Sequence, residues 1–170
     1  MFITISGYRS QNKFLCSLLE NAAEFYAGLM MRKDLVKNID LDIILVKRLK
    51  KKEKCYGYCY LGDTQNWRPR EFKIEIDGSV SLKLMLATLA HEMVHLKQWA
   101  RRQMQDYEDH HAPRRWKSQS IRVTGKGRLT YRKLPWEKEA YKWEKWLVNE
   151  FKKTGDYNKL AWKIEDVKSI

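Results

Sequence analysis

The sequence predicts an α+β fold in one domain spanning residues 1–170, and three patterns carry that expectation. Two long segments, Ser10 to about Arg32 and the stretch after Ser79, repeat apolar residues at helical spacing. Three short stretches between them alternate apolar and polar residues. A further amphipathic segment opens at Pro135. The resulting order of helix, three strands, long helix, loop and helix implies helices on one face of a small sheet of three to four strands.

The elements follow in turn. "FITIS" alternates and is rich in β-formers, so it reads as a short first strand. Phe14, Leu15, Leu18, Leu19, Ala22, Phe25, Tyr26, Leu29 and Met30 then recur at helical spacing, with Ser10 as the N-cap. "IDLDIILVKRL", Ile39 to Leu49, reads as a strand with Leu41, Ile43 and Leu45 on one face. "KCYGYCYLG", Lys54 to Gly62, reads as its hairpin partner across a lysine-rich turn. "REFKIEIDG", Arg70 to Gly78, alternates Phe72, Ile74 and Ile76 with charged residues and ends at Asp-Gly. Ser79 or Ser81 caps the next helix. Its buried stripe is Leu82, Leu86, Leu89, Met93 and Leu96, and it runs to about Gln105. Asp106 to Leu134 has little periodicity and reads mostly as loop. Pro135 suits the first turn of a helix over Trp136 to Lys152, which Gly155 ends. A short helix follows around Tyr157 to Trp162.

Composition narrows the function classes. An apolar fraction of 44% with 21 aromatic residues excludes disorder. No apolar run is long enough to cross a bilayer, and the N-terminus lacks the pattern of a secretory signal, so no membrane role and a cytoplasmic location are expected. The three cysteines, Cys16, Cys55 and Cys59, fit reduced thiols there. The net charge of +13 suggests attraction to nucleic acid or to an acidic partner. The densest basic runs are Lys47 to Lys54 and the stretch from Arg132 to Lys145.

The stretch "ATLAHEMVHLKQWA" carries the chemistry. His91 and His95 are four residues apart and share one helical face, so both imidazoles can aim at one ion. Glu92 follows the first histidine by one residue, which suits a general base beside a metal rather than a ligand on it. All four histidines of the chain fall between His91 and His111. A catalytic zinc needs a third protein ligand and an open position. The candidates are the pair His110 and His111, or a carboxylate at the start of the last helix: Glu137, with Ala140 one turn on to permit close helix approach, ahead of Glu139. Glu137, Ala140, Tyr141 and Glu144 share one helical face, whereas Glu139 lies with Trp136, Trp143 and Trp146.

"HEMVHLKQ" followed by "LPWEKEA" resembles the small, often phage-encoded, gluzincin-type zinc metallopeptidases, over roughly Val80 to Phe151. The resemblance implies a zincin-like domain with Zn²⁺ held by His91, His95 and Glu137, Glu92 as general base, and host cytoplasm as the compartment if the chain is phage-encoded. The family motif often continues with Asp or Asn where this chain has Tyr141. A carboxylate that steadies a ligand histidine is therefore missing at that place. The chain also resembles SprT-like (Spartan-type) proteases, which act on DNA-bound proteins. That likeness implies His111, or His110, as third ligand.

The expected reaction is peptide hydrolysis by a metal-activated water, with Glu92 moving the proton. The zincin arrangement implied by the resemblance would make Arg70 to Gly78 the sheet edge to which a peptide or protein substrate adds. Tyr131, just before the last helix, is the candidate for stabilising the oxyanion. Trp136, Trp143, Trp146 and Trp162 are expected mainly as core. A competing class is a basic nucleic-acid-binding module without catalysis. The sequence leaves substrate preference and oligomeric state open.

Overall fold

A computed structural model describes residues 1–62, 68–105, 114–122 and 131–166. The chain is α+β, and the described residues form six helices, a four-stranded sheet and a second, three-stranded sheet. Strand β1 (Phe2–Gly7) leads into helix α1 (Lys13–Met30) and the short α2 (Lys33–Lys37). Strand β2 (Asp40–Val46), helix α3 (Leu49–Glu53), and strands β3 (Gly57–Leu61) and β4 (Glu71–Asp77) follow. Helix α4 (Leu82–Ala100) precedes the small sheet β5 (Met104–Gln105), β6 (Arg114–Trp116) and β7 (Gln119–Ile121). Helices α5 (Pro135–Lys152) and α6 (Gly155–Asp166) complete the order.

The large sheet runs β1-β2-β4-β3. β1, β2 and β4 are parallel, and β3 is antiparallel to β4 at the edge. The expected hairpin between "IDLDIILV" and "KCYGYCYLG" does not form, because β4 lies between them. The burial patterns explain this. β2 buries Leu41, Ile43 and Leu45 and has a neighbour on each side, as a central strand needs. β3 is half-buried along most of its length and takes the edge. The lysine-rich link is not a turn but helix α3, entered at Arg48 and left at Lys54, both in the left-handed region. The buried Asp77 carboxylate receives the Lys50 amide at 2.8 Å.

Other boundaries move by local chemistry. Asn12, not Ser10, caps α1, because its side chain accepts the Leu15 amide at 3.0 Å. Ser10 instead donates its hydroxyl to the Gly7 carbonyl. Ser81 caps α4. That helix stops at Ala100 rather than near Gln105, since Arg102 has a positive φ of 57° and the chain turns into β5. Within Asp106 to Leu134, expected as mostly loop with one short element, the described residues include two short strands, β6 and β7. The tail helix α6 is longer than expected and begins at Gly155.

The core lies between one face of the large sheet and helices α1 and α4. Phe72, Ile74 and Ile76 of β4 meet Leu86, Leu89, Ala90 and Met93 of α4 there. A smaller cluster of Met104, Trp116, Leu134 and Trp136 packs beside it at the start of α5. Trp136 is buried as expected, but Trp146 and Trp162 are exposed. No helix among the described residues is long and apolar enough to cross a membrane.

Candidate metal centre

Helix α4 presents two faces. Its apolar stripe enters the core, and the adjacent face carries His91 and His95 toward α5, with Glu92 turned to the start of β3. Helix α5 starts at Pro135, which fixes its first turn, and Glu137 sits in that turn near the helix N-terminus, where a carboxylate is favoured. Ala140, one turn on, is fully buried, which allows the close approach of α5 to α4.

His91, His95 and Glu137 converge. The two Nε2 atoms are 3.3 Å apart. Glu137 spans them, with Oε2 3.3 Å from His91 Nε2 and Oε1 3.3 Å from His95 Nε2. Ligands arranged tetrahedrally at about 2.0–2.1 Å from a zinc ion lie about 3.3–3.4 Å from one another. The Nε2–Nε2 spacing matches two such ligands, and Glu137 brings one oxygen to that distance from each of them.

The imidazole tautomers follow from their outer partners. Gln98 is fully buried, and its Nε2 donates to the Trp136 carbonyl at 3.0 Å and to Glu139 Oε2 at 2.9 Å. With both amide hydrogens committed, Gln98 Oε1 must accept, and it does so from His95 Nδ1 at 2.9 Å. His91 Nδ1 faces a carboxylate, Glu144 Oε2, at 3.1 Å and so donates as well. Each histidine thereby spends its Nδ1 proton outward and turns a bare Nε2 lone pair inward. Both Glu137 oxygens are buried, and neither receives a hydrogen bond of ordinary geometry. Two bare nitrogens and a buried carboxylate thus meet at one point, with the Tyr131 hydroxyl beside Glu137 as the neighbouring donor, and a cation suits such a point.

Without a metal ion, a proton on His91 is the cation that the Glu137 carboxylate draws in. Burial opposes a charged His91, but Glu137 and Glu144 outweigh it and raise its pKa to about 10. Burial alone would raise Glu137, yet His91, His95 and the Tyr131 hydroxyl bring it down to about 2. Burial raises the pKa of Glu92, only partly countered by the two histidines. A buried carboxylate held above its ordinary range is suited to accepting a proton near neutrality.

The three residues line a cleft of about 840 Å³. Glu92, Tyr131, Tyr141 and the start of β3 border it too. Tyr131 reaches the cleft as expected, but its hydroxyl leans on Glu137. Burial and that carboxylate raise its pKa, so it remains a protonated donor. Tyr141 packs its ring 4.6 Å from that of His91, and Glu144, one turn on, supplies the carboxylate missing at position 141.

Glu139, the second candidate ligand, is engaged elsewhere. It pairs with the buried Lys97 Nζ at 2.9 Å and with Gln98. His110 and His111 lie outside the described residues.

Three contributors escaped the sequence reading. Glu144 was visible on the Glu137 face but had no assigned partner. Gln98 stood three residues after His95 with no pattern to mark it. Gly57 opens β3 where the strand crosses α4, and a Cβ there would lie 2.5 Å from Thr88 Cγ2 and 3.1 Å from Glu92 Cγ. Only glycine admits that approach without displacing the Glu92 side chain.

No protein-family model, curated protein or solved structure matches this chain. The site's own geometry is therefore what bears on its function.

Proposed function

We propose that the chain is a zinc-dependent metallopeptidase with a zincin-like arrangement. Zinc would be held by His91, His95 and Glu137, as in gluzincins. The observation that carries this reading is the triangle of 3.3 Å separations between two bare Nε2 atoms and the buried Glu137 carboxylate. A zinc ion bound there supplies a Lewis acid and lowers the pKa of a coordinated water to about 7.

The chain's own residues do the rest. Glu92, adjacent to the first ligand and high in pKa, accepts the water proton and returns it to the leaving amine. Tyr131 offers its hydroxyl to the developing oxyanion once it leaves Glu137. Glu144 and Gln98 keep the two imidazoles oriented. A peptide aligns along β3, not along β4 as the sequence reading had it, because β4 is paired on both sides while β3 is the antiparallel edge beside the cleft.

The test is elemental analysis of protein purified without added metal, then offered zinc. About one zinc per chain is expected, lost in His91→Ala and Glu137→Ala and kept in His111→Ala. Glu92→Gln should retain zinc and lower hydrolysis of a peptide library by about 10²–10⁴-fold. A wild-type protein that takes up no zinc defeats the proposal. Zinc loss in His111→Ala would transfer the third-ligand role to the SprT-like pattern.

A further inference from the structure

A second groove, of about 820 Å³, lies where the end of α1 and α2 meet the C-terminal end of α4. Five arginines line it: Arg32, Arg68, Arg70, Arg101 and Arg102. No lysine among the described residues does, although the chain has 22 lysines and 12 arginines. The five come from three separate segments, which only the fold brings together. Neither of the two dense basic runs of the sequence contributes.

We propose that this groove binds the phosphodiester backbone of a nucleic acid strand. The planar guanidinium fork matches a phosphate in bidentate fashion, whereas lysine offers a point charge. Arg70 is committed to the Pro69 and Ala100 carbonyls, at 2.7 and 3.2 Å, and fixes the wall of the groove. Arg32 and Arg101 are exposed and can reach a ligand. Among the described residues that line it, one is acidic: Asp34, paired with Arg32 at 3.3 Å. The net charge of +13 extends the attraction beyond the groove, which favours a long polyanion over a lone phosphate.

The groove adjoins the metal site through one helix end. Trp99 lines the first cleft and Ala100 the second. Six residues of helix, about 9 Å, separate His95 from Arg101. A strand held in the groove therefore runs beside the cleft without entering it, and the two sites can fail independently.

Fluorescence anisotropy with a labelled DNA strand of about 20 nucleotides, titrated over a range of salt, tests this. Arg32→Glu/Arg101→Glu should weaken binding about tenfold or more and lower the salt slope by about two. Lys142→Glu/Lys145→Glu makes the same charge change on exposed sites of α5 and should cost about twofold at most. Asp34→Asn should tighten binding, a gain that misfolding cannot mimic. Zinc content and thermal midpoint should stay at wild-type values in all three. Equal losses in the two charge-reversed proteins would reduce the effect to net charge and overturn the groove. So would absence of binding in the wild type. Displacement of the strand by polyglutamate at equal charge would overturn it in favour of an acidic protein partner.

Discussion

Two polar clusters are buried between α4 and α5, one helical turn apart, and they are built on opposite logic. Lys97, Gln98 and Glu139 form a matched set. The Lys97 ammonium meets Glu139, and the Gln98 amide donates to Glu139 and to the Trp136 carbonyl. His91, His95 and Glu137 form a mismatched set, in which acceptors face acceptors and the Glu137 oxygens go without a proper donor. Glu137 and Glu139 are two residues apart on the same helix, yet one completes a salt bridge and the other completes a ligand triangle. A buried polar cluster that balances internally serves the fold. One that does not balance marks the place of something from outside.

The sharpest way to break that contrast is to exchange the fates of the two glutamates. Glu137→Ala should reduce bound zinc from about one per chain to under about a tenth, while Glu139→Ala keeps it, as elemental analysis will show. Equal zinc in both variants would erase the distinction.

Removing one side of the matched set should cost stability instead. Lys97→Met leaves the half-buried Glu139 without its cation and should lower the unfolding free energy by about 1–3 kcal/mol in urea titration. The double replacement Lys97→Met/Glu139→Leu should recover most of that loss.

A smaller effect links the clusters through Gln98 and Glu144. Glu144→Gln should weaken zinc about 10–100-fold in competition with a chelator, with little change in thermal stability. Gln98→Leu should weaken zinc by a similar factor but also lower stability, because Gln98 belongs to both clusters. Gly57→Ala should leave zinc in place and reduce peptide hydrolysis, measured as kcat, by displacing Glu92.

The least of the expected effects is in acid. Burial would raise the Glu139 pKa, but Lys97 and Gln98 outweigh it and hold it below 4.5. Its stabilising contribution is thus present above 4.5 and lost as pH falls through the lowered value. Acid unfolding of Glu139→Gln should be flatter than wild type in that window.

Much of the site was legible because its logic is local. The four-residue spacing of His91 and His95, the adjacent Glu92, and Glu137 with Ala140 one turn on are all helical periodicities, and the fold keeps them. What was not legible depends on distant partners. Nothing about Gln98 distinguishes it from a solvated glutamine until Trp136 and Glu139 arrive. The strand order was misread because β4 inserts between β2 and β3, a non-local pairing that alternation alone does not encode. The arginine groove was invisible for the same reason, since its three segments are far apart in the chain.

The third ligand also comes late. Forty-two residues separate His95 from Glu137, which at about 5–20 residues per second is a delay of about 2–8 s during synthesis. Through that interval the nascent chain carries His91, Glu92 and His95 without Glu137, the third of the proposed ligands. The metal centre proposed above therefore cannot be complete until α5 has been made and has closed onto α4.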